Sequence, residues 1–307
     1  MNEIVVLSGK GGTGKTSLAA SLAALAEQVV IADCDVDGAD LHLVLSSRVR
    51  ERHEFFSGHA AVIRPNDCIG CGACLACCRF GAVRMNGRGA GEAAFSIDPI
   101  ACEGCGVCAH FCPVKAIDFP ERRCGEWMVS DTRRGPMVHA RLGIAAENSG
   151  KLVATVRREA RRIAEERGIP LIIVDGPPGI GCPAIASLAG ASLALIVTEP
   201  TVSGEHDMER VLSLARHFRI PATVCVNKWD INPDMTARIE EKARLAGASI
   251  AGRVRYDRSV TTAQIQALTV IETDAPSALD IRSVAQNCMR KIRGAFAWHI
   301  IKKRTER

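Results

Sequence analysis

Eight cysteines lie in two runs of identical spacing near the middle of the 307-residue chain. The runs are Cys68, Cys71, Cys74 and Cys78, followed by Cys102, Cys105, Cys108 and Cys112. Each cysteine of the first run recurs 34 residues later, as do flanking residues such as Ile63 and Ile97, which indicates an internal duplication. Clustered cysteines in a chain without a visible export signal are typical of metal ligation rather than of disulfides.

The two runs have the spacing of the bacterial two-cluster ferredoxin module. Two-residue spacers let three thiolates converge on one iron–sulfur cube, and the fourth cysteine of each run binds the other cluster in that arrangement. We therefore expect two [4Fe–4S] clusters. The first is assigned to Cys68, Cys71, Cys74 and Cys112, and the second to Cys102, Cys105, Cys108 and Cys78.

Alternatives to this assignment stay open. Structural zinc also uses paired cysteines, although zinc motifs usually join two C-x2-C units across a longer gap. Cys77 directly precedes Cys78 and is an alternative ligand of the first run. Cys182 lies beyond the block, and a ligand role for it is a further hypothesis. The other cysteines are interpreted as small core or surface residues: Cys34, Cys124, Cys225 and Cys288.

A glycine-rich loop near the start of the chain has the spacing of a phosphate-binding loop. Residues 9–16 read GKGGTGKT, between an apolar strand expected at 4–8 and a helix expected at 15–27. Such loops turn backbone N–H groups toward phosphate oxygens at a helix N-terminus. Lys15 is expected to reach the β- and γ-phosphates, and the Thr16 hydroxyl to bind Mg²⁺. The expected nucleotide contacts in the loop are Gly11, Gly12, Thr13, Gly14, Lys15, Thr16 and Ser17.

Lys10 makes this loop resemble that of the deviant Walker A ATPases, the group that includes MinD, ParA, Mrp and the nitrogenase iron protein. The resemblance implies that Lys10 reaches across a homodimer to the partner's nucleotide, which couples dimerisation to ATP hydrolysis. It also implies that Asp35 positions the attacking water and that Asp33 lies near the magnesium ion. Asp175 resembles the Walker B aspartate, which implies that it also belongs to the magnesium site. Each aspartate taken alone is also explained as a turn former or helix cap.

Asn227 and Lys228 follow another apolar strand and are expected to contact the nucleotide base. The segment 227–230 also matches the N-K-x-D motif with which GTPases read guanine, so these residues alone leave the base open. The family resemblance implies ATP. Two further stretches, 175–183 and 198–204, resemble MinD-superfamily ATPases that contain a ferredoxin domain.

The elements that must position these residues alternate between strands and helices. Apolar strands expected at 29–32, 171–174, 193–197 and 222–226 each end in polar residues, and a helix is expected at 151–167. This order indicates an α/β fold with a doubly wound, mainly parallel sheet. Because sheet elements flank the cysteine block, we expect a P-loop ATPase domain at 1–62 and 120–307. Residues 63–119 are expected to form a small α+β ferredoxin-like insert.

Composition narrows the class of protein only modestly. Hydrophobic residues make up 47% and charged residues 24%, as in ordinary soluble chains. An aromatic content of 4% and a net charge of +5 give no reason to expect nucleic-acid binding. No secretory signal or membrane-length apolar run is visible, which favours the cytoplasm. The basic C-terminal segment, with Met289, Ile292, Phe296 and Ile300 at helical spacing, is interpreted as a packed last helix, with membrane contact as the alternative.

Together these features predict a MgATP-hydrolysing dimeric switch whose nucleotide state gates electron transfer through the clusters to an unknown redox partner protein. The dimer is expected to be a homodimer or a heterodimer with a paralogue. Two other functions stay open. One is an iron–sulfur carrier or assembly ATPase with transferable clusters, and the other is a MinD/ParA-like positioning protein with redox-sensing clusters.

Overall fold

The structure is a computed structural model, and it describes residues 1–86, 94–143 and 149–292. By their internal contacts the residues fall into two compact units. The first unit comprises Met1–His53, Trp127–Arg141 and Ser149–Arg307, and the second comprises Glu54–Glu126 and Leu142–Asn148. The second unit therefore begins before residue 63 and continues past residue 119, where the sequence analysis expected the changes of domain.

The strands, in chain order, are β1 (Asn2–Ser8), β2 (Val30–Asp33), β3 (Arg48–His59), β4 (Val62–Ile63), β5 (Val83–Met85), β6 (Phe95–Ile97), β7 (Ile117–Asp118), β8 (Glu121–Asp131), β9 (Pro136–Leu142), β10 (Leu171–Pro178), β11 (Leu193–Thr198), β12 (Ala222–Asn227) and β13 (Ser249–Val254). The α-helices are α1 (Lys15–Leu25), α2 (Leu41–Val44), α3 (Ala73–Cys77), α4 (Val107–His110), α5 (Ser149–Glu166), α6 (Cys182–Leu188), α7 (Val202–His217), α8 (Pro233–Leu245), α9 (Ser259–Ile265) and α10 (Pro276–Lys291). Short 3-10 helices lie at Pro65–Asp67, Trp229–Ile231 and Val270–Glu272.

The main sheet has the strand order β13-β12-β11-β1-β10-β2-β9-β8-β3. All pairings from β13 to β9 are parallel, which confirms the mainly parallel α/β sheet. The register places Asp175 of β10 directly opposite Asp33 of β2. Since parallel strands end at the same edge of a sheet, the loops after β1, β2, β10, β11 and β12 meet there.

Both faces of the central strands are covered. Ile4 and Val6 of β1 belong to a core cluster with residues of α1 and α10, while the alternating Val5 and Leu7 are equally buried. Helices α5 and α6 contact β10 and each other but contribute nothing to that cluster, so they cover the opposite face. Burial on two faces explains why these strands are continuous apolar runs.

Strands β3, β8 and β9 were not expected from the sequence. Strand β3 lies at the end of the sheet order and exposes most of its length, including Arg48, Arg50, Glu51 and Arg52. Charged residues on an edge strand prevent pairing with other chains. They also remove the apolar alternation from which a strand is recognised.

The second unit repeats its secondary structure at the offset of the cysteine repeat. Ile63 of β4 pairs with Ile117 of β7, and 34 positions away Ile97 of β6 pairs with Val83 of β5. Helices α3 and α4 each follow a glycine in the left-handed conformation, at Gly72 (φ 76°) and Gly106 (φ 74°). The internal duplication of the sequence is therefore also a duplication of local structure.

Candidate functional site

The phosphate loop connects β1 to α1, and the helix begins at Lys15. Gly12 and Gly14 have φ values of 80° and 87°, a conformation that side chains disfavour. The Asn227 side chain donates from Nδ2 to the Thr13 carbonyl at 2.8 Å. A Cβ at Gly14 would lie 2.3 Å from that Nδ2, so the close approach also requires glycine. Asn227, expected to contact the base, therefore makes a hydrogen bond to the phosphate loop itself.

Lys15 lies between two carboxylates at the carboxyl ends of neighbouring strands. Its buried Nζ is 2.8 Å from Asp175 Oδ1 and 3.2 Å from Asp35 Oδ2. Burial lowers the pKa of Lys15, but the charges of Asp175 and Asp35 outweigh it, and the net pKa is raised. Lys15 is therefore held as an ammonium group at the base of the phosphate loop.

Asp33 is completely buried and accepts the backbone N–H groups of Asp35 (3.2 Å) and Leu41 (3.3 Å). Burial, and then the charge of Asp175, raise its pKa well above the usual range of a carboxyl. Asp175 Oδ2 is buried without a hydrogen-bond partner in the described part of the chain. An unpaired carboxylate oxygen beside a phosphate loop is a suitable ligand for Mg²⁺ or its bound water. Thr16, the other expected ligand, is the second residue of α1.

Lys10 is half-buried and contacts residues that follow β11. Its Nζ is 3.2 Å from Ser203 Oγ and 3.5 Å from Glu199 Oε2. The same Glu199 carboxylate also pairs with Lys228. Glu199 was not among the residues expected at the site. Lys10 and Glu199 each follow an apolar strand, but the structure, and not the sequence pattern, shows that β1 and β11 are neighbours.

A cavity of about 790 Å³, including its open mouth, adjoins the loop at Gly12, Gly14 and Ser17. Its apolar wall includes Val197, Val254 and Ile281, and its polar residues include Asn227, Lys228, Arg255, Asp257, Thr261 and Gln264. Asp230, the residue that would read guanine, does not line this cavity and instead accepts the Tyr256 N–H at 2.7 Å. The cavity adjoins the phosphate loop, and the acid of the guanine motif is not among its lining residues.

The eight repeated cysteines of the second unit divide between two cavities. The first, of about 330 Å³ including open space, is lined by Cys68, Cys71, Cys74 and Cys112. The second, of about 350 Å³, is lined by Cys78, Cys102, Cys105 and Cys108, and in addition by Cys77. The structure thus brings together the two sets of four thiols that the spacing assigned to separate clusters.

The described residues contain no group of three or more His, Cys, Asp or Glu side chains placed to hold a single metal ion. A [4Fe–4S] cluster makes a different demand, because each of its four irons takes one thiolate and the ligands surround a volume. The remaining walls are mainly apolar, including Ile63 and Phe95 in the first cavity and Phe80 and Ile97 in the second. Ala116 donates its N–H to Cys112 Sγ at 3.2 Å, the kind of bond that stabilises a cluster thiolate. The donor sets therefore fit two such clusters.

Other expectations from the sequence concern scattered cysteines and the C-terminus. Among the cysteines outside the two runs, Cys182, the first residue of α6, is exposed, whereas four are buried: Cys34, Cys124, Cys225 and Cys288. Met289 and Ile292 pack in the core of the first unit. The rest of the basic segment, with Phe296 and Ile300, lies outside the described residues. Within the described ranges, no helix is both long and apolar enough to cross a membrane.

Comparisons with known proteins agree with the nucleotide site. Residues 4–270 match the family model described as the CobQ/CobB/MinD/ParA nucleotide binding domain. The chain is 34% identical over 233 residues to the uncharacterized protein MJ0578 of Methanocaldococcus jannaschii, covering 75% of this chain and 79% of that protein.

Two solved structures show the same fold. The MinD cell division protein of Aquifex aeolicus has a TM-score of 0.56 at 19% identity, over 94% of this chain and 97% of that chain. The septum site-determining protein MinD of Pyrococcus horikoshii, complexed with Mg-ADP, has a TM-score of 0.54 at 14% identity, over 93% and 94%. Because the family model covers most of the chain and its phosphate loop, the chain belongs to the CobQ/CobB/MinD/ParA nucleotide-binding family, with the fold of the MinD/ParA P-loop ATPases.

Proposed function

We propose that the chain is a MgATP-hydrolysing dimeric switch that couples its nucleotide state to electron transfer through two [4Fe–4S] clusters. The observation that carries the proposal is that one chain has both a phosphate loop facing paired carboxylates and two cavities with four repeated thiols each. The first feature supports a two-state nucleotide cycle. The second supports a redox module, because clusters when bound supply one-electron transfer.

In the nucleotide cycle, Lys15 exchanges its contacts with Asp175 and Asp35 for phosphate oxygens. Asp175 Oδ2 and the Thr16 hydroxyl would hold the magnesium ion, and Asp33 would lie near that ion. Asp35, the most exposed of the three aspartates, then orients the attacking water. The family and the absence of Asp230 from the cavity lining support ATP over GTP.

Lys10 is proposed to act on the nucleotide of a partner subunit in a homodimer, or in a heterodimer with a paralogue. Its present partners, Glu199 and Ser203, belong to its own chain. Reaching a second subunit therefore requires Lys10 to leave these contacts. That exchange links ATP binding to the geometry of the dimer.

The ferredoxin-like module of the proposal comprises residues 63–119. Its thiols bind the irons, its apolar side chains limit the access of water, and backbone N–H groups such as that of Ala116 stabilise the sulfur ligands. Electron transfer to a partner protein in the cytoplasm would then depend on which nucleotide the first unit holds.

The test is a redox titration of anaerobically purified protein, with and without MgATP and a non-hydrolysable ATP analogue. We expect about eight irons per chain, and cluster potentials or electron-transfer rates that change with nucleotide. The Lys15→Met variant is the control, in which MgATP should have no effect. Identical potentials and rates under all conditions would contradict the coupling. Release of clusters to an apo-acceptor during hydrolysis would instead support an iron–sulfur carrier.

A further inference from the structure

The linings of the two thiol cavities correspond through the 34-residue repeat. Every residue that lines the first cavity has its repeat counterpart in the lining of the second, as Ile63 has Ile97. The second cavity has one lining residue beyond this correspondence, Cys77. The counterpart of Cys77 is Phe111, which does not line the first cavity. The second site therefore has five thiols where the first has four.

Cys77 lies among the ligands of this site. It is the last residue of α3 and directly precedes Cys78, and its Sγ is 3.5 Å from the Cys74 carbonyl oxygen. Cys77 and Cys108 both line the second cavity, so the two thiols border the same space.

Cys78 corresponds to a lining thiol of the first site, whereas Cys77 does not. The repeat counterpart of Cys78 is Cys112, which lines the first cavity and accepts the Ala116 N–H at 3.2 Å. Cys78 is therefore the resident ligand, and Cys77 is an addition to a duplicated site.

We propose that Cys77 is a reserve ligand of the second cluster, able to replace Cys78. The inference rests on the proposed function, since it requires this cavity to hold a [4Fe–4S] cluster. In the exchange, the Cys77 thiol loses its proton and its sulfur binds the iron that Cys78 leaves, while the Cys78 thiolate takes up a proton. The cluster keeps four thiolate ligands and its electron count. The first site has no equivalent exchange, because Phe111 occupies the corresponding position.

Four variants of the full chain test this inference after anaerobic purification. Iron and sulfide per chain and the electron paramagnetic resonance spectrum of the reduced protein are measured for Cys78→Ala, Cys77→Ala, Cys77→Ala/Cys78→Ala and Cys112→Ala. Cys112→Ala is the matched change at the site without a fifth thiol. We expect about eight irons in both Cys78→Ala and Cys77→Ala, and about four in Cys112→Ala and in the double variant. The spectrum of Cys78→Ala should also differ from that of the wild type, because its ligand geometry is new.

Two results would overturn the reserve ligand. One is that Cys78→Ala loses as much iron as Cys112→Ala, and the other is that the double variant keeps as much iron as Cys78→Ala. Circular dichroism and MgATP binding, measured on every variant, separate loss of the cluster from loss of the fold. A wild-type protein that holds no iron would contradict the proposed function itself. If the wild-type protein instead holds about eight irons and the Cys78→Ala variant loses as much iron as Cys112→Ala, only the reserve ligand is contradicted.

Discussion

At the phosphate loop, one ammonium group compensates several carboxylates. Lys15 contacts Asp175 and Asp35, while Asp33 lies opposite Asp175 in the sheet. Burial and the Asp175 charge raise the pKa of Asp33, which means that its ionised form is disfavoured there. In the proposed cycle Lys15 turns to phosphate oxygens, and the carboxylates then need another cation. This arrangement supports the proposal that magnesium binds together with the nucleotide.

The first prediction concerns the buried pair of Lys15 and Asp175. Lys15→Met should remove nucleotide binding and lower the free energy of unfolding by roughly 3 kcal/mol, because it leaves a buried carboxylate unpaired. Lys15→Met/Asp175→Asn should recover most of that stability without recovering ATP binding. Urea unfolding and equilibrium binding of a fluorescent ATP analogue measure the two effects. Equal stability of the single and double variants would show that the unpaired Asp175 carboxylate is not the cause of the loss.

The second prediction concerns Glu199, which holds Lys10 within its own chain. Glu199→Gln should strengthen dimerisation in MgATP by roughly two- to fivefold, since an ion pair of this exposure contributes about 0.5–1 kcal/mol. Sedimentation velocity with a non-hydrolysable ATP analogue measures the dimer. Glu209→Gln is the control, because Glu209 lies on the following helix and pairs with Lys242 instead. Weaker dimerisation would mean that Glu199 supports the dimer rather than opposing it.

At the scale of elements, the turn between β8 and β9 forms ion pairs with a short 3-10 helix. Glu272, at the end of that helix, forms ion pairs with Arg133 and Arg134 of the turn. It also accepts from the N–H and hydroxyl of Thr269 in a capping box. Burial opposes ionisation of Glu272, but these bonds outweigh it and lower its pKa to about 2. One carboxylate thus joins two elements that are far apart in the sequence.

The third prediction uses this depressed pKa. Ionised Glu272 should stabilise the fold by roughly 2 kcal/mol above the pKa of an unfolded glutamate, with the contribution lost as pH falls from about 4.5 toward 2. Glu272→Gln should therefore be less stable than the wild type at pH 7, and the gap should narrow at pH 3. Urea unfolding at both pH values measures it. Glu166→Gln, which alters an exposed pair with Arg162, should leave stability unchanged within error. A gap in unfolding free energy as large at pH 3 as at pH 7 would assign the loss to packing.

The sequence predicted those elements whose burial produces a simple pattern. Strands β1, β2, β10, β11 and β12 are apolar runs because both faces are covered, and Asp33, Asp35 and Asp175 stand at or after the ends of β2 and β10. That the three aspartates share a magnesium site was implied by the family resemblance. Strand β3 has no such pattern, because it is charged and mostly exposed. The contact of Lys10 with Glu199 also escaped prediction, since it depends on which strands are adjacent and on side-chain placement. Local periodicity contains neither.

For the whole molecule, the direction of the proposed electron transfer would depend on how the two thiol sites differ. Duplication gives them the same framework, but position 69 beside the first site is isoleucine and its counterpart beside the second is Glu103. Both side chains are exposed. Negative charge near a cluster disfavours its reduction, and the net charge around it is one determinant of potential. The carboxylate of Glu103 should therefore lower the potential of the second cluster.

The fourth prediction concerns the charge at these two positions. Glu103→Gln should raise the potential of the second cluster, and Ile69→Glu should lower that of the first, each without loss of iron because neither residue is a thiolate ligand. Redox titration followed by electron paramagnetic resonance resolves the two clusters, and Glu121→Gln, outside both linings, is the control. The effect should weaken as ionic strength rises, because exposed charges are screened. Potentials that stay fixed at low salt, with full iron content, would show that water screens the carboxylate completely. Any difference in potential between the two clusters would then have to come from the bonds to their sulfurs, such as the one that the Ala116 N–H donates to Cys112.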